Sequence, residues 1–151
     1  MTTTDGPIPP PPPPPAGYAV RFKTARCEKE YFGVLHPAVR DLVQAFCEWS
    51  RVSGLPEPTV TCVVRTPDEN RAIYKGVDRF SWHLVRCAVD LRNHHYTPEQ
   101  RRKAEGWLGA RAMRPRWEFV PQDHGTGPHF HVAIRDARWR ELYNPTPENK
   151  P

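Results

Sequence analysis

No apolar run in this 151-residue chain approaches the roughly 18 residues that a membrane-spanning helix requires. Nor does the N-terminus place an apolar stretch behind a basic one, so no secretory leader is expected and the sequence predicts cytoplasmic synthesis. The four cysteines, Cys27, Cys47, Cys62 and Cys87, include no CxxC pair. Their spacing argues against a zinc knuckle and a dithiol redox motif, and buried free thiols are the expectation. No internal repeat is visible. Charge is missing from one segment, where Asp5 is the sole charged residue before Arg21.

That segment is rich in proline instead. Eight of the 19 prolines fall between Pro7 and Pro15. Proline fixes φ and has no N–H to donate, so the tract belongs to neither a helix interior nor a central strand and reads as an extended polyproline spacer. The expected organisation is a disordered segment over 1–17, a single domain over 18–144 and a flexible tail over 145–151. A domain of that size is long enough to bury one core. The formal charge is +5 with a pI near 9.2. A basic balance admits an anionic partner, such as nucleic acid or an acidic cell-wall polymer, without choosing between them.

Periodicity supplies the elements. Residues 34–54 read as an amphipathic helix, with Pro37 in its first turn, Val39, Leu42, Val43 and Phe46 on one face and Gly54 as the stop. Residues 59–65 are β-branched and predict a strand ending at Arg65, followed by a short helix over 66–74. Residues 84–92 alternate as a strand, with Val85, Cys87, Val89 and Leu91 facing one way and Arg86, Ala88, Asp90 and Arg92 the other. Thr97, Pro98 and Gln100 open a second helix as a capping box. Two further strands, 117–121 and 129–134, flank an irregular loop, and 136–143 closes the domain as a short helix. This pattern predicts an α+β fold with a small, mainly antiparallel sheet and flanking helices.

Histidine placement carries the chemistry. Period two puts His129, His131 and Ala133 on one face of the last strand and Phe130, Val132 and Ile134 on the core side. Asp90 shares its face with Ala88. Were these strands neighbours, two imidazoles and a carboxylate would meet above small side chains. His83 has the opposite parity to Asp90 and must arrive from a bend before the strand. Two imidazoles and a carboxylate form a common catalytic zinc set, because three protein ligands leave a fourth position open. His36, His94 and His95 read as residues flanking helices and turns, and Trp82 and Trp117 as core packing that could border a cleft.

The run SWHLVRCAVDL fits Ser-x-His-x6-Asp with alanine two residues before the aspartate. With VTCVVRT upstream and HFH downstream, it resembles the zinc D-alanyl-D-alanine carboxypeptidase and endolysin family, which shares its fold with the hedgehog signalling domain. The resemblance spans about residues 59 to 134. It implies one Zn2+ held by His83, Asp90 and His131, with His129 beside the metal, Arg65 on the substrate's carboxylate or carbonyl, and Ser81 bracing the site. The activity implied is zinc-dependent hydrolysis of peptidoglycan stem peptides or cross-links, as a carboxypeptidase or endopeptidase, through a metal-activated water.

Two positions depart from the family pattern. Arg86 stands where glycine is usual, and an arginine there is expected to keep a negative φ or to project into the cleft. Pro128 occupies the position, three before His131, where the general base is usual. Asp123, His124 and His129 are the remaining candidates, with Asp123 first and His129 second. Two other readings stand beside the peptidase. His-Phe-His with Tyr143 also fits a metal-dependent enzyme that nicks single-stranded DNA, and a hedgehog-like zinc domain would bind without turnover. The leading reading expects a monomer with a peptidoglycan partner, no nucleic acid and no membrane span, and it would reach the cell wall through lysis or another leaderless route.

Overall fold

The computed structural model describes residues 20–122 and 127–144. The chain begins with a two-residue strand, β1 (Arg21–Phe22), and a helix, α1 (Ala25–Gly33), then α2 (Pro37–Val52) and β2 (Thr59–Cys62). Next come α3 (Pro67–Ile73), a 3-10 turn (Trp82–Val85), β3 (Ala88–Arg92), α4 (Pro98–Arg111), β4 (Trp117–Gln122), β5 (His129–Ile134) and α5 (Ala137–Tyr143). The strands form one sheet in the order β1-β2-β3-β5-β4, with β1 parallel to β2 and every other pair antiparallel. The architecture is α+β and the sheet is mixed, owing to the short β1, for which no alternating run exists in the sequence. No described helix is long and apolar enough to cross a membrane.

The long helices form where capping chemistry starts them. Thr97 accepts from the Gln100 N–H while Gln100 accepts from the Thr97 N–H, and Thr66 and Glu69 do the same for α3. His36 caps α2 with Nδ1 on the Ala38 N–H, and its Nε2 reaches Asp136 at 2.9 Å, so it also ties α2 to the start of α5. Val39, Val43 and Phe46 of α2 are fully buried and face the sheet's apolar side, where Phe46 meets Phe130 and Trp107. Trp82 and Trp117 are partly buried against that core.

Three expectations change. The strand read over 59–65 stops at Cys62, and the strand read from 84 starts at Ala88. Leu84 and Val85 belong instead to the 3-10 turn, because Arg86 ends that turn in the left-handed region at φ 62° and breaks the alternation. Arg86 therefore takes the conformation that glycine would, contrary to the negative φ expected of it. The strain of roughly 1–2 kcal/mol for a side chain in this region is offset locally. Its carbonyl accepts from His36 N–H at 2.9 Å and its guanidinium lies 4.0 Å from the Tyr143 ring centroid, on α5 and not in the cleft.

Candidate metal centre

β3 lies between β2 and β5, so Asp90 has a cross-strand partner on each side: Cys62 on β2 and His131 on β5. A register shift between Val60 and Cys62 produces the first pairing. Regular pairing would set Thr61 opposite Asp90; the extra residue brings the thiol there instead. Burial pushes that thiol up to about 12. The second pairing puts His131 and Asp90 side by side on one face, with Arg92 opposite His129 one step further along it.

His83 enters from the 3-10 turn. Ser81 caps that turn by accepting from the His83 N–H, which fixes the backbone from which the imidazole projects. The ring is completely buried, with Nδ1 2.8 Å from the Val63 carbonyl and Nε2 3.1 Å from Asp90 Oδ1. A carbonyl can only accept, so Nδ1 carries the proton and the neutral ring keeps a lone pair on Nε2. Burial pushes His83 toward that neutral form, against the pull of Asp90. A lone pair and a carboxylate oxygen therefore face each other in the interior, an arrangement that repels unless a positive charge lies between them. The donor set fits a cation.

His131 presents Nδ1 to the same Asp90 Oδ1 at 3.1 Å, and its Nε2 lies 3.1 Å from Glu118 Oε1 on β4. Burial opposes its charge, but the hydrogen bonds to Asp90 and Glu118 win and raise it to about 9. Glu118 is held below its ordinary value by the same bond, and its Oε2 meets Arg135 at 3.4 Å. Burial also opposes the charge of Asp90, yet the carboxyl is held well below the usual range, by the His83 ring whenever that ring is charged and by the hydrogen bond from His131. Asp90 Oδ2 is taken by Arg65 at 3.1 Å, while His129 Nε2 stands farther off at 3.8 Å. His129 is oriented by its Nδ1, 3.0 Å from the Gly127 carbonyl.

The donor atoms of Cys62, His83 and Asp90 all lie within 4.8 Å of one another and form a group that could hold a metal ion. Of the residues expected from sequence, His83, Asp90 and His131 do converge, with Asp90 at the hub. Arg65 pairs with Asp90, not with Asp68 or Glu69, which are engaged by Arg71 and Arg26. Asp123 and His124 lie outside the described residues. A cleft of about 180 Å³ opens beside Asp90, bordered by Lys23, Arg65, Arg92, His94 and His129. His94 is exposed at its rim, whereas His95 turns to the Glu57 carbonyl. Arg65 and Arg92 line the cleft; Arg86 does not, and Arg79 lies over the Tyr74 ring.

Two site residues escaped the sequence reading. Glu118 carried a signal, because alternation along 117–121 puts it on one face with Val120, the partner of His131. Cys62 carried none: only the register shift brings it to Asp90. No protein-family model, no curated protein and no solved structure matches the chain.

Proposed function

We propose that the chain is a zinc-dependent peptidase that hydrolyses peptidoglycan peptides. The observation that carries the reading is the buried meeting of the His83 lone pair with Asp90 Oδ1, beside His131 Nδ1. Both separations from that oxygen are 3.1 Å. Two donors each about 2.0–2.1 Å from a tetrahedral zinc stand about 3.3 Å apart, so the spacing supports such an ion. His83, Asp90 and His131 would hold it, with the Cys62 thiol in reach of the same group. When bound, zinc supplies Lewis acidity, polarising a carbonyl and lowering the pKa of water to about 7.

The chain's own residues do the rest. Val63 and Glu118 fix the two ligand rings from behind, each accepting from the nitrogen turned away from Asp90. Arg65 steadies Asp90 through Oδ2 and borders the cleft, where its remaining N–H groups suit a substrate carbonyl or carboxylate. Ser81 sets the His83 backbone. His129 stands at the cleft edge, able to take a proton from a reacting water and return it to the leaving amine, and Asp123 is the other candidate for that task. The nicking-enzyme reading finds less support, because the Tyr143 ring sits against Arg86 and Trp139 and does not border the cleft.

The test is metal content of the purified protein followed by hydrolysis of muropeptides, with His83→Ala and His131→Ala beside the wild type. The reading expects near-stoichiometric zinc, turnover in the wild type and neither in the variants. Full activity in either variant would overturn it, as would purification without zinc. Tight zinc without turnover would identify a binding domain.

A further inference from the structure

Cys62 stands apart from the other three cysteines. Cys27, Cys47 and Cys87 belong to the hydrophobic core, whereas Cys62 is only partly buried and borders the cleft beside Asp90. Packing accounts for three thiols and leaves the fourth. Its position comes from an irregularity in β2, where Thr59 and Val60 pair with Arg92 and Leu91 and one residue is skipped before Cys62 meets Asp90. A bulge gives up ladder pairing and re-aims a side chain, and the side chain re-aimed here is a thiol. Cross-strand partners share a face, so Cys62, Asp90 and His131 form a row across β2, β3 and β5. The Cys62 Sγ lies 3.6 Å from His83 Nδ1, and the Arg65 guanidinium that holds Asp90 Oδ2 also hydrogen-bonds this sulfur.

Charge gives the sulfur a task. With neutral imidazoles, a divalent ion on Asp90 beside the buried Arg65 guanidinium leaves a net of two positive charges in the interior, because Glu118 is matched by Arg135. Uncompensated buried charge is costly, and a thiolate bonded to the ion removes half of it. The thiol gives up its proton to solvent as the sulfur–metal bond forms.

We propose that Cys62 is a direct ligand of the ion, making the centre a thiolate, imidazole and carboxylate site that His131 completes from the far side of Asp90. Such a donor set selects zinc, cobalt or cadmium over magnesium and calcium, which prefer oxygen. The assignment rests on the zinc part of the reading above and not on peptide hydrolysis. It also sets that reading a condition: four protein donors fill a tetrahedral shell, so no tetrahedral position is open while the thiolate is in place.

The test is cobalt(II) titrated into the full chain after metal removal by chelator, read by absorption spectroscopy. Sulfur-bound cobalt gives a near-ultraviolet charge-transfer band that nitrogen and oxygen donors do not, beside the visible bands of the ion itself. The wild type should show both. Cys62→Ser should lose the ultraviolet band and keep the visible ones, whereas Cys27→Ala should keep both. Should Cys62→Ser fail to fold, zinc-edge X-ray absorption on the wild type decides, with one sulfur expected at about 2.3 Å beside nitrogen and oxygen at about 2.0–2.2 Å. Cobalt bound without the ultraviolet band overturns the proposal and leaves a centre of His83, Asp90 and His131 standing, as does a zinc shell of nitrogen and oxygen alone. A band that persists in Cys62→Ser also overturns it. A sulfur-bound ion with no hydrolysis of muropeptides would overturn the peptidase reading and leave this one standing. Failure to bind either metal overturns both.

Discussion

His83 is held at both ring nitrogens, and the two contacts have opposite meanings. The Val63 carbonyl takes a proton at Nδ1, whereas Asp90 faces a lone pair at Nε2. Removing the ring should therefore abolish metal retention, and His83→Ala is expected to purify without stoichiometric metal by atomic emission analysis. Glu118 acts on His131 from the far side. Carboxylates in that position typically contribute about 10–100-fold to metal affinity. Glu118→Ala should weaken zinc by that factor in a competition titration, while Glu118→Gln, whose amide oxygen still accepts from Nε2–H, should recover part of the loss. An unchanged affinity in Glu118→Ala would remove this carboxylate from the site.

The 3-10 turn between α3 and β3 delivers His83, and it ends on Arg86 at φ 62°. Glycine fits this conformation without steric cost, whereas a β-branched residue does not. Arg86→Gly is expected to stay within about 1 kcal/mol of the wild type in urea unfolding, since relief of strain offsets loss of the Tyr143 contact. Arg86→Val should lose more than that. At α3 the capping carboxylate Glu69 is held down to about 2, chiefly by its hydrogen bond from Arg26 and then by the Thr66 N–H. A depressed folded pKa means that the contribution is present above the ordinary value near 4.5 and is lost as pH falls toward about 2. Urea midpoints at pH 5 and pH 2 should therefore differ less in Glu69→Gln than in the wild type. Beneath the site, Phe46 of α2 is fully buried against Phe130, the residue between the two β5 histidines. Phe46→Ala should cost about 3–5 kcal/mol by the same measurement.

At the scale of the molecule, an ion held as proposed by the 3-10 turn, β3 and β5 would tie together parts of the chain far apart in sequence. An ion present at about 1,000 times its Kd adds roughly 4 kcal/mol to folding. Chelation should thus lower the melting temperature of the wild type by about 10 °C in calorimetry and leave that of His83→Ala unaffected. Much of this arrangement was legible beforehand. Period-two alternation put Asp90 on the polar face of β3 and His129 with His131 on one face of β5, and a capping box announced α4, because those signals are local to a few residues. Alternation could not tell that Leu84 and Val85 leave the strand, since Arg86 adopts a backbone conformation that its residue type does not advertise. Nor could it find β1, which is two residues long. The sequence by itself determined which side chains could meet on the polar face, because alternation and capping are properties of neighbouring residues. Only the tertiary structure decided that β3 and β5 are adjacent, that a one-residue shift in β2 turns Cys62 toward Asp90, that Glu118 backs His131 and that Arg65 pairs with Asp90. Register and strand order arise from contacts between distant segments, and no local pattern encodes them.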